Sequence, residues 1–167
     1  MALVFDIETV GENFDDLDET TQNNLTRWVT REAGNDVGKR QAMIQDIKEN
    51  LGFSPLTGQI VALGVYDTVK NKGVVYYQSR NDELEKTEGR FIYRRATEAE
   101  MLQKFWQGAI HYQEFVSFNG RAFDVPFILL RSAVHRIKAT RDLMAYRYTE
   151  KQNFGVRHID LLDQLSF

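Results

Sequence analysis

The feature that most constrains this chain is a change of hydrophobic period near residue 96. Before it, QIVALGVYD (59–67), GVVYYQS (73–79) and GRFIYRRA (89–96) are β-branched and aromatic runs of strand length, the first two joined through TVKNKG as a hairpin. After it, TEAEMLQKFWQGAIHYQ (97–113) sets Met101, Leu102, Phe105, Trp106 and Ile110 at helical spacing behind Thr97 and Glu100, the spacing of a capping box. EFVSFNG (114–120) then reads as a short strand ending in a turn. DVPFILLRSAVHRI (124–137) reads as a helix with proline in its first turn, where the missing N–H costs nothing. VRHIDLLDQL (156–165) reads as a strand passing into a helix start, and Leu3–Ile7 as a first, central strand. Three strands in a meander followed by helix, strand, helix, strand predict an α/β fold, antiparallel first and parallel after the crossovers.

Residues 11–55 break this pattern. They are acidic, then polar, and LTRWVTREAG and GKRQAMIQDIKENLGF carry helical spacing, with Trp28, Met43, Ile44, Ile47 and Leu51 as an apolar stripe. They read as a helical insertion after the first strand, closed by the turn SPLTG. The 167 residues suit one domain with that insertion.

Composition excludes some chemistry. Without cysteine there are no disulfides, no thiolate catalysis and no cysteine-based zinc site. MALVF has no basic leader region, and the apolar run VPFILL is far short of the roughly 20 residues that span a bilayer. The expectation is a cytoplasmic protein with no membrane contact. Net charge is −3 but uneven: residues 1–60 hold 11 acids against 5 bases, and 131–167 hold 7 bases against 4 acids. RSAVHRIKATR with Arg147, Lys151 and Arg157 reads either as solvated helix surface or as a contact for a polyanion.

FDIET (5–9) puts two carboxylates, Asp6 and Glu8, two apart on an apolar strand. Side chains at i and i+2 share a face, so both project together while Ile7 turns to the core. Two hard oxygen ligands at that spacing suit Mg²⁺ or Mn²⁺, and a solvated strand end fits them as well. SFNGRAFD (117–124) is a strand, an Asn119-Gly120 turn and a helix with Asp124 at its start, the place where α/β sheets put their sites. Asp124 also has a structural reading as an acid near a helix N-terminus, and Asn119-Gly120 as a plain turn.

Together and in this order, FDIET and SFNGRAFDVPFILLR resemble the DEDD superfamily of 3′-5′ exonucleases, which has a ribonuclease-H-like fold. The second motif is most similar to the proofreading exonuclease of family B DNA polymerases, and FSPLTGQIVALGV (53–65) resembles a stand-alone bacterial branch of that group. The resemblance implies a metal-dependent enzyme with two Mg²⁺ or Mn²⁺ ions. It would remove nucleotides from the 3′ end of single-stranded DNA or RNA, with DNA favoured. It implies that Asp6 bridges the two metals, that Glu8 holds one of them and meets the terminal nucleotide, and that Asp124 serves the other. Thr9 and Asn119 match positions near the terminal nucleotide, and Phe123 the position of an apolar support. Two metals about 3.5–4 Å apart make phosphodiester hydrolysis possible without a nucleophilic side chain.

The family's third motif, Y-x-x-x-D or H-x-x-x-x-D on a late helix, is not found convincingly. His158 and Asp163 of HIDLLD fit the second form literally, but RHIDLL reads as the strand that leads towards that helix. His158 and Asp163, and Asp160 with them, are therefore expected in surface or strand-end roles, and His111 and His135 in structural or exposed helical positions. The helix carrying the third motif is expected to be absent, which would leave a weak or inactive nuclease. A degenerate nucleic-acid-binding module and a protein-interaction domain of the same fold are the alternatives.

Overall fold

The computed structural model describes residues 1–80, 85–147, 151–152 and 155–166. Seven strands form one mixed sheet: β1 (Ala2–Gly11), β2 (Gly58–Asp67), β3 (Lys72–Tyr77), β4 (Glu85–Glu88), β5 (Phe91–Arg95), β6 (Glu114–Ser117) and β7 (Arg157–Asp160). Their order across the sheet is β4-β5-β3-β2-β1-β6-β7. β2 and β3 are antiparallel, β1 and β6 parallel, and β6 and β7 parallel. This is the expected α/β, ribonuclease-H-like class. One strand differs in direction. GRFIYRRA forms β5, which lies beside β3 but runs parallel to it, because β4 intervenes and pairs with β5 in an antiparallel hairpin. The short, charged β4 gave no hydrophobic signal, so the reversal it introduces was invisible in the periodicity.

The chain groups into two compact units, residues 1–8 with 60–167 and residues 9–59. In the first, α4 (Glu98–Ala109) starts on the Thr97–Glu100 capping box that the sequence predicts. Met101, Leu102, Phe105 and Trp106 are buried as expected, whereas Ile110 falls just past the helix and is exposed. α5 (Asp124–Val134) stops three residues early, where Arg136 takes a left-handed conformation at φ 57° and Ile137 N–H donates to Ser132 O. α4 and α5 join Leu3, Phe5 and Ile7 of β1 and Phe115 of β6 in one core. The Trp106 indole N–H donates to Ser132 Oγ at 2.8 Å, which satisfies its only polar atom. After β7 a short α6 (Leu161–Leu165) begins, capped by Asp160. Among the described residues no helix is long and apolar enough to cross a membrane.

The second unit is helical between its strand ends, with α1 (Glu19–Thr26), α2 (Val29–Ala33) and α3 (Val37–Asn50). Asp18 and Asp36 cap α1 and α3 by accepting from Thr21 N–H and Lys39 N–H. The expected stripe is only partly buried: Met43, Ile44 and Ile47 are intermediate, and Trp28 is exposed where Val29 and Ala33 are buried instead. Backbones meet closely at Gly11 and Gly52. A Cβ on Gly11 would lie 2.7 Å from Leu51 Cβ and 2.9 Å from Gly52 N, so a side chain there would displace main chain.

Among its described residues the first unit carries a buried ion cluster. Glu98, at the start of α4, is 5% exposed. It accepts from Arg131 Nε at 2.9 Å, Arg131 Nη2 at 2.7 Å and Ile60 N–H at 2.7 Å, and meets His135 Nε2 at 2.7 Å. Burial pushes its carboxyl pKa up, but these bonds outweigh burial and hold it below the ordinary value. Breaking one side of a buried pair leaves the other charge uncompensated. Glu98→Ala should therefore lower the unfolding free energy by about 3–5 kcal/mol in urea titrations. Because the folded-state pKa is depressed, the cluster's contribution should be complete above the ordinary glutamate pKa and be lost as pH falls through the folded value.

Candidate active site

The alternation of β1 decides the first motif. Leu3, Phe5 and Ile7 are buried, and Asp6 and Glu8 are exposed on the opposite face. The two acids share a face, as their spacing predicts, and neither is buried. The second motif is built by the β6–α5 turn. Asn119 is exposed and left-handed at φ 57°. Its carbonyl accepts from Ala122 N–H and Phe123 N–H, both at 3.1 Å, and Gly120 O accepts from Val125 N–H at 2.8 Å. Gly120 is required: a Cβ there would stand 2.1 Å from Ser117 Oγ. The turn delivers Asp124 as the first residue of α5.

Asp124 is 3% exposed, and its Oδ1 accepts from Ile7 N–H at 3.1 Å, which ties α5 to β1 between the two acids of the first motif. Its carboxyl pKa is raised to about 6, by burial first and then by the negative charges of Asp6 and Asp160, against the lowering effect of the Ile7 N–H bond. Phe123 is half-buried, with its ring 5.5 Å from that of Phe127 at the core edge. Thr9 belongs to the other unit, where its hydroxyl donates to Gly52 O at 2.8 Å.

The residues around the literal third-motif match take structural places. His158 is 2% exposed. Its Nδ1 faces Leu143 O at 3.0 Å, a carbonyl that can only accept, so Nδ1 carries the proton and Nε2 accepts from Ser117 Oγ at 2.8 Å. Burial lowers its pKa and keeps it neutral. Asp160, 4% exposed, accepts from Asn119 N–H at 2.8 Å, Arg121 N–H at 2.9 Å and Leu162 N–H at 3.0 Å. Asp163 pairs with Arg147, whose Nε donates at 3.0 Å. Asn119, Arg121, Met144, Arg147, Asp160 and Asp163 line a cleft of about 240 Å³ at these strand ends. His111 is exposed in the turn after α4, and His135 sits on Glu98.

Much of the basic segment is tied internally. Arg131 serves Glu98, Arg141 donates to Ala109 O and Ile110 O, and Arg157 pairs with Glu114 at 3.6 Å. Arg136 and Lys138 are exposed.

Among the described residues no three Asp, Glu or His side chains stand close enough together to hold a metal ion. The donor set nonetheless suits a hard cation. Asp124 is a buried carboxyl whose ionised form is disfavoured by burial and by the charge of Asp6, the setting in which a hard cation would be favourable.

Comparison with known proteins agrees with this arrangement. Residues 69–167 match the family described as "Predicted 3'-5' exonuclease related to the exonuclease domain of PolB", a span that includes Asn119, Phe123 and Asp124. The chain is also 27% identical over 139 residues to DNA polymerase 1 of Saccharolobus solfataricus, an alignment covering 76% of this chain and 15% of the polymerase. The chain thus spans about a seventh of that relative's length. The match over 69–167, the mixed sheet and the Asn119–Asp124 turn place the chain in the family of exonucleases related to the exonuclease domain of PolB.

Proposed function

We propose that this chain is a metal-dependent 3′-5′ exonuclease that removes nucleotides from single-stranded nucleic acid, with DNA the favoured substrate. The observation that carries this reading is the buried Asp124 carboxyl, docked on the Ile7 amide and held above its ordinary pKa by burial and by the neighbouring charge of Asp6. Asp6 and Asp124 would hold Mg²⁺ or Mn²⁺, with Glu8 added from the same face of β1. Bound ions of this kind activate water and neutralise charge on a leaving phosphate oxygen. Asn119, exposed on the turn that leads to Asp124, would orient the terminal nucleotide, and Phe123 would support the turn from the core side. Thr9 is the weakest member of this set, since its hydroxyl is already engaged by Gly52 O. A second reading, a nucleic-acid-binding module without hydrolysis, is favoured by the lack of a preformed three-ligand cluster among the described residues.

Three sets of measurements test the proposal, and the last separates the two readings. Millimolar Mn²⁺ should raise the melting temperature of the wild type, since a ligand at about a hundredfold excess over Kd stabilises by about 2.7 kcal/mol. The rise should disappear in Asp6→Ala, and an equal rise in that variant would place the metal elsewhere.

The pH dependence has a defined sign. A carboxyl raised to about 6 holds its proton in the folded state, so without metal Asp124 removes stability as pH climbs from about 4 to 6. Metal-free Asp124→Asn should accordingly melt higher than the wild type at pH 7 and no higher at pH 4. Mn²⁺ affinity of the wild type should weaken as pH falls below about 6, where the proton competes with the metal.

A 5′-labelled single strand with a free 3′-OH should shorten one nucleotide at a time in Mg²⁺ or Mn²⁺, and a circular single strand should stay intact. Binding of the strand without shortening would establish the second reading.

A further inference from the structure

We propose that Asp160 is a positioning residue for this site: its carboxylate holds the Asn119–Asp124 turn in the shape that seats Asp124 on β1. The inference rests on the exonuclease reading above. The two Asp160 oxygens accept three backbone N–H groups from two separate segments. Oδ1 takes Asn119 at 2.8 Å and Leu162 at 3.0 Å, and Oδ2 takes Arg121 at 2.9 Å. Only a carboxylate presents acceptors on both oxygens, so an amide of the same shape must abandon at least one of these bonds.

Asp160 meets the main chain of the turn directly, at the Asn119 and Arg121 amides, whereas the Arg121 side chain ties the turn to Ala145 O at 2.7 Å. Asn119 is in the left-handed region, which a residue with a side chain occupies at a cost unless its surroundings hold it there. Asp160 grips the amides on both sides of Gly120. Two residues earlier on the same strand face, His158 holds the Ser117 hydroxyl against which Gly120 packs. β7 thus anchors the start and the middle of the turn through alternate residues. From there the geometry passes along the chain: Asn119 O accepts from Phe123 N–H, Gly120 O from Val125 N–H, and between those residues lies Asp124. If Asp160 lets go, Asn119 and the first turn of α5 lose their register against β1.

The test compares Asp160→Asn with Leu162→Pro in the full chain. Leu162 is in the first turn of α6, where proline is tolerated, and this change deletes the helix-side N–H that Asp160 accepts while leaving the Asn119 and Arg121 amides in place. For Asp160→Asn we expect kcat on a 5′-labelled single strand to fall at least about tenfold with KM within about twofold, the mark of lost positioning. Amide hydrogen exchange at Asn119 and Arg121 should quicken at least about tenfold, while that of Phe5 on β1 stays unchanged. Leu162→Pro should keep the wild-type kcat. The proposal is overturned if Asp160→Asn turns over and exchanges like the wild type. It is equally overturned if Leu162→Pro loses as much activity, or if Asp160→Asn cannot fold, since Asp160 would then be a helix cap or a general stabiliser. A wild type inert in Mn²⁺ would sink the exonuclease reading instead. The exchange comparison would then decide separately, faster exchange supporting the grip of Asp160 on the turn and unchanged exchange refuting it.

Discussion

The hydrogen bond from Ile7 N–H to Asp124 Oδ1 joins two motifs 117 positions apart and gives the site its location. It is possible because β1 and β6 lie side by side and parallel, with Leu3 opposite Phe115 and Val4 opposite Val116. The chain leaving β6 therefore turns at the same end of the sheet that presents Asp6 and Glu8. A turn of only a few residues, tightened by Gly120 on Ser117, then brings the first residue of α5 against the β1 backbone. The core under α4 and α5 fixes this arrangement from below, since Phe5 and Ile7 on β1 pack in the same cluster as Val125, Phe127 and Ile128.

Four acids are buried among the described residues: Asp67, Glu98, Asp124 and Asp160. A buried carboxylate must be matched by cations or donors. Asp67 has the Val69 and Lys70 amides and the Tyr112 hydroxyl. Glu98 has a bidentate arginine, a histidine and an amide. Asp160 has three amides from two segments. Asp124 has the Ile7 amide and faces the negative charge of Asp6. Three of the four are structural devices whose environment is complete. The fourth accepts from the Ile7 amide and has a raised pKa, and it is the carboxyl on which the proposed metal site rests.

The same contrast explains the third-motif lookalike. HIDLLD has the right residue types for a late metal ligand, yet its buried members face the β6–α5 turn. Strand pairing puts His158 opposite Phe115 and Asp160 opposite Ser117, at the level where β6 ends. Both side chains therefore serve the second motif. Asp163, one helical step further, is engaged by Arg147.

Local pattern alone carried the capping box of α4, the β2–β3 hairpin, the helical character of 11–55, and the shared face of Asp6 and Glu8, because each depends on contacts within a few residues. The early end of α5 and the reversal through β4 were not legible: one turns on a left-handed Arg136, the other on a charged strand that pairs with β5. The acids were legible as residue types in a spacing, but their division into structural and unmatched groups was not. Burial and many hydrogen-bond partners come from segments distant in sequence, 117 positions away for Asp124 and Ile7 and 41 for Asp160 and Asn119. Motif spacing along the chain identifies which side chains could hold a cation. Only the packing of β1, β6 and β7 around one turn decides which carboxylate is buried beside a like charge, because charge compensation is a property of the neighbours in space.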